Sequence, residues 1–271
     1  MKFKLNHINF INEGRKIVYD YSYDNKIKAY FNLKNPFYVL YDQDVTFYNS
    51  LKELKAQFEK HHPKIKNKGN LICKKLVRNK CNGTNSMLLF SGGLDSFESL
   101  TRNYNKDPYL VSIHGADVEI KDKKRWHQFK EFNEKEPIIN NSKLTYIESN
   151  LRDFYTYKVN LRVNNISWWG EIQHGMALLG VLAPLSYLLQ VSDIFIASSN
   201  TKEVDFSWGS RPEIDENMTW ADLKIKHDGY HLRRPEKIVN VINFAKKNNE
   251  TINLRVCYSE LRNGANCNTC A

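Results

Sequence analysis

Hydrophobic and polar positions follow two different patterns along the chain. Up to residue 85, apolar side chains alternate with polar ones over short stretches, at 2–11, 15–24 and 26–33. This alternation is typical of half-buried strands. It predicts a small β-rich N-terminal domain at residues 1–85, which ends in a basic linker.

The remainder of that first region is less regular. Residues 37–41 and 45–48 are candidate strands, and a helix is expected from Leu51 to about Lys60, with Ser50 as its N-cap. The basic segment that follows carries seven Lys and Arg residues between Lys64 and Lys80. Such a run is either a solvated linker or a surface that contacts phosphates, and we favour the linker.

From Ser86 the pattern changes to short apolar runs that alternate with longer amphipathic segments. Strands that alternate with helices form a parallel sheet covered by helices, so residues 86–271 are predicted to be one α/β domain. The expected strands are 87–90, 109–113, 144–148 and 193–197, and the expected helices are 96–104, 122–136, 171–190 and 235–247.

Composition adds a bias toward anionic partners. The net charge is +10, which suits ATP, pyrophosphate or RNA, although a chain rich in Lys and Asn is also basic without such a partner. The first residues do not resemble a signal peptide, no apolar run is long enough for a membrane span, and the five cysteines form an odd set. We therefore expect a cytoplasmic protein in a reducing compartment.

One short motif carries the candidate chemistry. Ser91-Gly92-Gly93-Leu94-Asp95-Ser96 lies between a predicted strand and a predicted helix. Adjacent glycines allow a sharp turn, and the helix N-terminus directs backbone N–H groups at an anion. An aspartate in such a loop indicates an indirect role with Mg²⁺, because a metal ion would be needed between its carboxylate and a phosphate.

This stretch resembles the PP-loop of the N-type ATP pyrophosphatases. The resemblance implies a parallel five-stranded sheet with helices on both faces, of the adenine nucleotide α hydrolase-like type. It also implies ATP and Mg²⁺ as cofactors, with the β- and γ-phosphates on the loop and Lys237 directed at them. Phe90, His114 and Gly115 would then lie near adenine or AMP.

Within that superfamily the C-terminal segment resembles the 7-cyano-7-deazaguanine synthases, in which a cysteine pattern of this kind holds zinc. Cys257, Cys267 and Cys270 match three of its four positions, and the fourth would fall beyond Ala271. The fourth ligand is therefore missing from this sequence, supplied by Cys73 or Cys81, or there is no zinc. A structural Zn²⁺ is the favoured expectation.

Departures from that family indicate a different substrate. His114-Gly115 and the stretch 168–175 stand where the synthases carry other residues. Trp residues could stack on a planar substrate, although they are more often core residues. The candidate substrate residues are Trp169, Gln173, His174, Ser199, Asn200, Trp208 and Arg211.

These observations leave three hypotheses. The first is an AMP-forming ligase that adenylates a carboxylate or carbonyl oxygen of a small or macromolecular acid, releases pyrophosphate and accepts a nitrogen nucleophile. The second is a thiolase-like tRNA-modifying enzyme that holds RNA through its basic N-terminal region. The third is a nucleotide-binding adaptor without turnover. A homodimer is the expected assembly if the chain is not a monomer.

Overall fold

The computed structural model describes residues 3–11, 16–23, 37–39, 42–63, 71–154, 167–204 and 207–255. These residues fall into two compact units. The first contains the described residues up to Gly83 together with 167–192 and 207–225, and the second contains the rest. The expected boundary at residue 85 lies close to the division after Gly83, but two later segments also join the first unit.

Short strands open the first unit. β1 (Phe3–Ile11) and β2 (Lys16–Tyr23) pair antiparallel, with a register shift between Leu5 and His7. Two further pairs are parallel: β3 (Phe37–Val39) with β5 (Leu71–Cys73), and β4 (Gln43–Asp44) with β6 (Leu76–Val77). The expected strand at 26–33 lies outside the described residues.

Helix α1 (Val45–His61) begins earlier than predicted, because Asp44 is its N-cap. The Asp44 carboxylate accepts hydrogen bonds from the backbone N–H groups of Thr46 at 3.0 Å and Phe47 at 3.1 Å. The prediction of a strand at 45–48 and of a cap at Ser50 was therefore wrong. A carboxylate in the preceding residue satisfied the first helical N–H groups, so the helix could start there.

The segment predicted as one long helix at 171–190 is divided. A π-helix (Trp168–Gln173) runs into α4 (His174–Gly180), and α5 (Ala183–Leu188) follows a short turn. The short helix α6 (Pro212–Asp215) comes later in the same unit. Pro184 lies in the first turn of α5, where its missing N–H costs no hydrogen bond. In the interior of a single helix at 171–190, Pro184 would have removed a backbone hydrogen bond. The single-helix prediction was therefore wrong, and the proline is the physical reason.

The second unit is built around a five-stranded parallel sheet flanked by helices, which confirms the predicted fold class at this level. The strand order is β11-β10-β7-β8-β9. The strands are β7 (Asn85–Leu89), β8 (Tyr109–His114), β9 (Leu144–Glu148), β10 (Val191–Ala197) and β11 (Lys224–Asp228).

Strand β11 was not predicted. Its sequence is Lys-Ile-Lys-His-Asp, with Lys224 and Lys226 exposed and Ile225 and His227 buried. A buried His and Asp at the end of a strand resemble a polar turn when only the sequence is known.

Three long helices accompany the sheet: α2 (Leu94–Asn103), α3 (Lys123–Glu134) and α7 (Arg234–Asn248). Each lies within two residues of its predicted bounds. In a buried apolar cluster, side chains from strands, helices and loops pack together. The cluster includes residues near the ends of β7 and β10 and so helps to position those ends. Its members include Leu88, Phe90, Phe97, Leu100, Leu110, Leu144, Phe195 and Val241.

A buried ionic network also fixes α2. The Arg102 guanidinium donates to Glu98 at 2.5 Å and to Asp228, at the end of β11, at 2.7 Å. Asp228 also accepts from Ser99 and Asn103, and Asn240 on α7 donates to Glu98. Both carboxylates are 1% exposed. The network joins the second half of α2 to β11 and α7.

Candidate functional site

The order of the strands marks the place where a ligand would bind. When the five strands are numbered by their order in the chain, they lie side by side as 5-4-1-2-3. The chain adds β8 and β9 on one side of β7, and it then adds β10 and β11 on the other side. In open parallel sheets, ligands bind at the carboxyl ends of the strands at this reversal. The loop after β7 is Phe90–Gly93, and the loop after β10 begins at Ser198. The predicted phosphate loop and the predicted substrate residues Ser199 and Asn200 therefore both follow the carboxyl ends of these central strands.

Two glycines shape the loop after β7. Gly92 has φ +71°, a conformation that side chains other than glycine rarely adopt. A methyl group there would also lie 2.6 Å from Oδ1 of Asn133. Gly93 is the N-cap of α2 and has no side chain to cap it. The first N–H groups of α2 therefore lack a side-chain cap, which is the arrangement that suits an anion.

The serines hold the loop together. Ser96 Oγ donates to the Gly93 carbonyl at 2.9 Å and lies 3.3 Å from both the backbone N and the Oγ of Ser91. Ser91 Oγ in turn lies 3.4 Å from the backbone N of Gly93. The hydroxyls of Ser91 and Ser96 thus make contacts within the turn.

Lys237 lies beside the loop, as its predicted role requires. It is 1% exposed, and its Nζ donates to Asp95 Oδ1 at 2.8 Å and to the carbonyl oxygen of Ser198. Arg234, one turn earlier on α7, lies 3.8 Å from Asp95 Oδ2 and is mostly exposed. Two cations therefore face one carboxylate, which leaves a net positive charge next to the uncapped helix start.

The loop after β10 contributes the backbone carbonyl of Ser198 at the same end of the sheet. The N–H of Ser198 donates to the Asp228 carbonyl at 2.8 Å, and its Oγ donates to the Asn200 carbonyl at 2.7 Å. Ser199 is exposed and Asn200 is partly exposed. These two predicted substrate residues are therefore accessible, and they directly follow Ser198, whose carbonyl contacts Lys237.

Arg255 contacts the loop, although no motif in the sequence predicted it. Its Nε donates to the Ser91 carbonyl and its backbone N–H to the Gly92 carbonyl, at 2.9 and 2.8 Å. Its guanidinium carbon lies 4.9 Å from the centre of the Phe129 ring, and the residue is 7% exposed. Arg255 thus binds the carbonyls of both Ser91 and Gly92. It lies in no motif, so only its contacts identify it.

Phe90, predicted near adenine, is a core residue. Its ring is 2% exposed and packs edge-on against Phe97 with 5.0 Å between the ring centres.

His114, also predicted near adenine, is the last residue of β8, and Gly115, predicted with it, follows in the turn. The His114 ring is fully buried and stacks on Trp126 with 4.6 Å between the ring centres. Burial lowers the pKa of His114; the charge of Lys123 acts in the same direction, and contacts with Glu119 and Glu148 oppose it. A methyl group at Gly115 would lie 1.8 Å from the Ser149 carbonyl, so the turn requires glycine. Packing accounts for both residues.

The other candidate substrate residues lie in the first unit, where the structure brings three aromatic rings together. His174 lies 5.3 Å from Trp169 and 5.1 Å from Trp208, measured between ring centres. The π-helix that ends at Gln173 places Trp169 and Gln173 one turn apart. Short π-helical segments are frequent at functional sites.

Arg211 is anchored nearby in the same unit. Its Nη1 lies 3.0 Å from Nδ1 of His61, and its Nε lies 3.3 Å from Glu213. It is 9% exposed. The predicted substrate residues are thus divided between the units: Ser199 and Asn200 belong to the second unit and the others to the first.

The three cysteines of the predicted zinc site, Cys257, Cys267 and Cys270, lie outside the described residues. Among the residues that the structure describes, no group of three or more His, Cys, Asp or Glu side chains could hold a metal ion. Cys73 and Cys81 are partly buried free thiols of the first unit. The zinc prediction stays a prediction.

Comparisons of the chain with protein families, with curated proteins and with solved structures found no match. Within the described ranges, no helix combines the length and the apolar character needed to cross a membrane.

Proposed function

We propose that the second unit binds ATP, with the β- and γ-phosphates on the Ser91–Ser96 loop, and that the protein is an AMP-forming ligase of the N-type ATP pyrophosphatase kind. One observation carries the proposal. An uncapped helix start, formed by Gly92 and Gly93, lies where the strand order reverses, and the buried Lys237 reaches into the same loop.

The charges around the loop suit a polyphosphate. The start of α2 contributes partial positive charge, and Lys237 and Arg234 contribute full charges. Asp95 offsets one of them in the free protein, and its carboxylate oxygens are ligands of the kind Mg²⁺ prefers. Mg²⁺ bound to ATP would neutralise phosphate charge, and Asp95 is the described loop residue that would approach it.

The proposed reaction has two displacements. An oxygen of the substrate carboxylate attacks the α-phosphorus, the bond from that phosphorus to the bridging oxygen breaks, and pyrophosphate leaves with the electron pair. A nitrogen nucleophile then attacks the acyl carbon, loses a proton and displaces AMP. Lys237 would stabilise the negative charge that develops on the leaving pyrophosphate. The remaining contribution of the loop is positioning.

The decisive experiment combines product analysis with isotope transfer. The protein is incubated with ATP, Mg²⁺, ammonia and a panel of carboxylic acids labelled with ¹⁸O, and AMP and pyrophosphate are measured. Adenylation of the acid predicts one ¹⁸O atom in AMP. If ADP and phosphate form instead, the ligase proposal fails. AMP that requires added RNA and a sulfur donor would favour the tRNA-modifying alternative.

A glycine pair provides the matched variants. At Gly93 a methyl group meets its nearest neighbours at 3.4 Å, an ordinary contact, so Gly93→Val is expected to fold while its branched side chain obstructs the phosphates. At Gly180 the nearest atom lies 3.9 Å away, so Gly180→Ala should change neither folding nor turnover. We expect Gly93→Val to lose at least about 100-fold in kcat/KM. Equal activities of the two variants would contradict the assignment of the loop.

A further inference from the structure

The side chain of Asn133 is buried without hydrogen-bond partners. It lies in the last turn of α3 and is 0% exposed. Within the part of the chain that the structure describes, neither its Nδ2 nor its Oδ1 has a hydrogen-bond partner. Burial of an amide without partners costs free energy, so such a group in a native protein calls for an explanation.

Its location connects it to the phosphate loop. A methyl group placed on Gly92 would lie 2.6 Å from Asn133 Oδ1 and 3.7 Å from the ring of Phe132. Asn133 therefore lies directly against the one loop residue with a positive φ. Arg255 also contacts this turn, because it donates hydrogen bonds to the carbonyls of Ser91 and Gly92. The Asn133 amide therefore lies against the backbone of Gly92, which must adjust around a phosphate.

We propose that Asn133 is a positioning residue for the phosphate loop: when phosphates bind, the backbone at Gly92 shifts and donates a hydrogen bond to Asn133 Oδ1. The inference rests on the proposed function, since it assumes that the loop binds phosphates. The free protein carries the cost of the unpaired amide, and the bound state removes it. A group that is better satisfied in one state shifts the equilibrium toward that state. Asn133 therefore strengthens phosphate binding at the expense of the stability of the free protein.

This account predicts opposite changes in two measurements. Asn133→Leu keeps the branched shape and removes both polar atoms, so the melting temperature of the free protein should rise by about 2–4 °C. Binding of Mg²⁺ and α,β-methylene-ATP, measured by calorimetry, should weaken about tenfold. Pyrophosphate binding should weaken in parallel, whereas AMP, which lacks the β- and γ-phosphates, should bind equally well to both proteins. Asn133→Ala tests the same loss without added volume.

A second buried asparagine is the matched control. Asn103 Nδ2 donates to the Ser99 carbonyl and to Asp228, both at 2.9 Å. Asn103→Leu breaks these bonds, so it should lower the melting temperature while the Kd for the ATP analogue stays within about twofold. The two asparagine variants are therefore expected to differ in the sign of the stability change and in their effect on binding.

The outcomes separate this inference from the proposed function. If the wild-type protein binds neither the ATP analogue nor pyrophosphate, the proposed function fails and the inference fails with it. If the wild type binds and both Asn133 variants bind equally well, only the inference fails. A lower melting temperature together with weaker binding of all three ligands, AMP included, would also overturn it, because a general packing defect has that result. Higher stability with weaker binding of phosphate-bearing ligands alone supports it.

Discussion

Helices α2 and α7 are linked by two ionic clusters of different construction. Near the start of α2, Lys237 reaches Asp95 and a loop carbonyl, and the carboxylate still faces the exposed Arg234. One turn further along α2, Glu98 and Arg102 form an ion pair that closes on Asp228, at the end of β11. The first cluster has excess positive charge and lies at the glycine loop. The second contains two carboxylates that are almost fully buried.

The difference shows how charge is used in the two places. In the second cluster every described carboxylate oxygen has a donor, so the network can fix elements but offers nothing to a ligand. In the first cluster the ammonium group donates to two described acceptors and can make three hydrogen bonds. We therefore expect variants of the closed network to change stability, and variants of the open cluster to change binding and turnover.

The largest effect is expected from the closed network. Arg102→Met leaves two buried carboxylates without their guanidinium, which should cost about 3–5 kcal/mol in the free energy of unfolding. Urea unfolding followed by circular dichroism measures it. Arg78→Met is the control, because the pair between Arg78 and Asp222 is exposed at 3.7 Å and should contribute less than about 1 kcal/mol. Equal losses for the two arginines would remove the distinction between the clusters.

A smaller effect, on function, is expected from the open cluster. Lys237→Met removes the cation that faces the leaving pyrophosphate, so kcat/KM for the ligase reaction should fall about 100-fold, or about 2.7 kcal/mol. The loss of stability should be less than for Arg102→Met, because Asp95 is 19% exposed and keeps Arg234. Lys226→Met, at an exposed lysine 3.8 Å from Asp228, should leave kcat/KM unchanged. If both lysine variants keep wild-type turnover, Lys237 has no role in the reaction.

The smallest effect is a pH dependence. Burial opposes ionisation of Asp228, but the hydrogen bonds from Arg102 and Ser99 and the charge of Arg102 outweigh it, so its pKa lies below the ordinary value of 3.8. The unfolded chain therefore takes up this proton first, and the stability that Asp228 contributes is present above pH 3.8 and is lost as the pH falls through the folded pKa.

Replacing this group should flatten the acid limb of the stability curve. Asp228→Asn lowers stability at neutral pH, yet its unfolding free energy should decrease less steeply than that of the wild type below about pH 4. Denaturant titrations at a series of pH values give the slopes. Asp107→Asn, at a carboxylate that is 61% exposed, is the reference. Identical slopes for the wild type and Asp228→Asn would mean that Asp228 titrates as an ordinary aspartate.

The sequence predicted those features that neighbouring residues decide. Four of the five sheet strands and the three long helices of the second unit have strong local patterns, and the Gly92-Gly93 turn is explicit. Lys237 was identified only through the resemblance. Helix α1 was misplaced because Asp44 starts it before its apolar period begins. Strand β11 was missed because it looks polar, and the partners of its buried polar residues lie elsewhere in the chain.

What the sequence by itself determined is the alternation of strands and helices and the presence of a glycine turn before a helix, because both depend on residues within a few positions of one another. Only the tertiary structure decided which distant side chains surround that turn. Arg255 meets Ser91 across 164 positions and Lys237 meets Asp95 across 142. Asn133 lies against Gly92 with no motif to announce it. Such partners are selected by packing in three dimensions, and no local period records that selection.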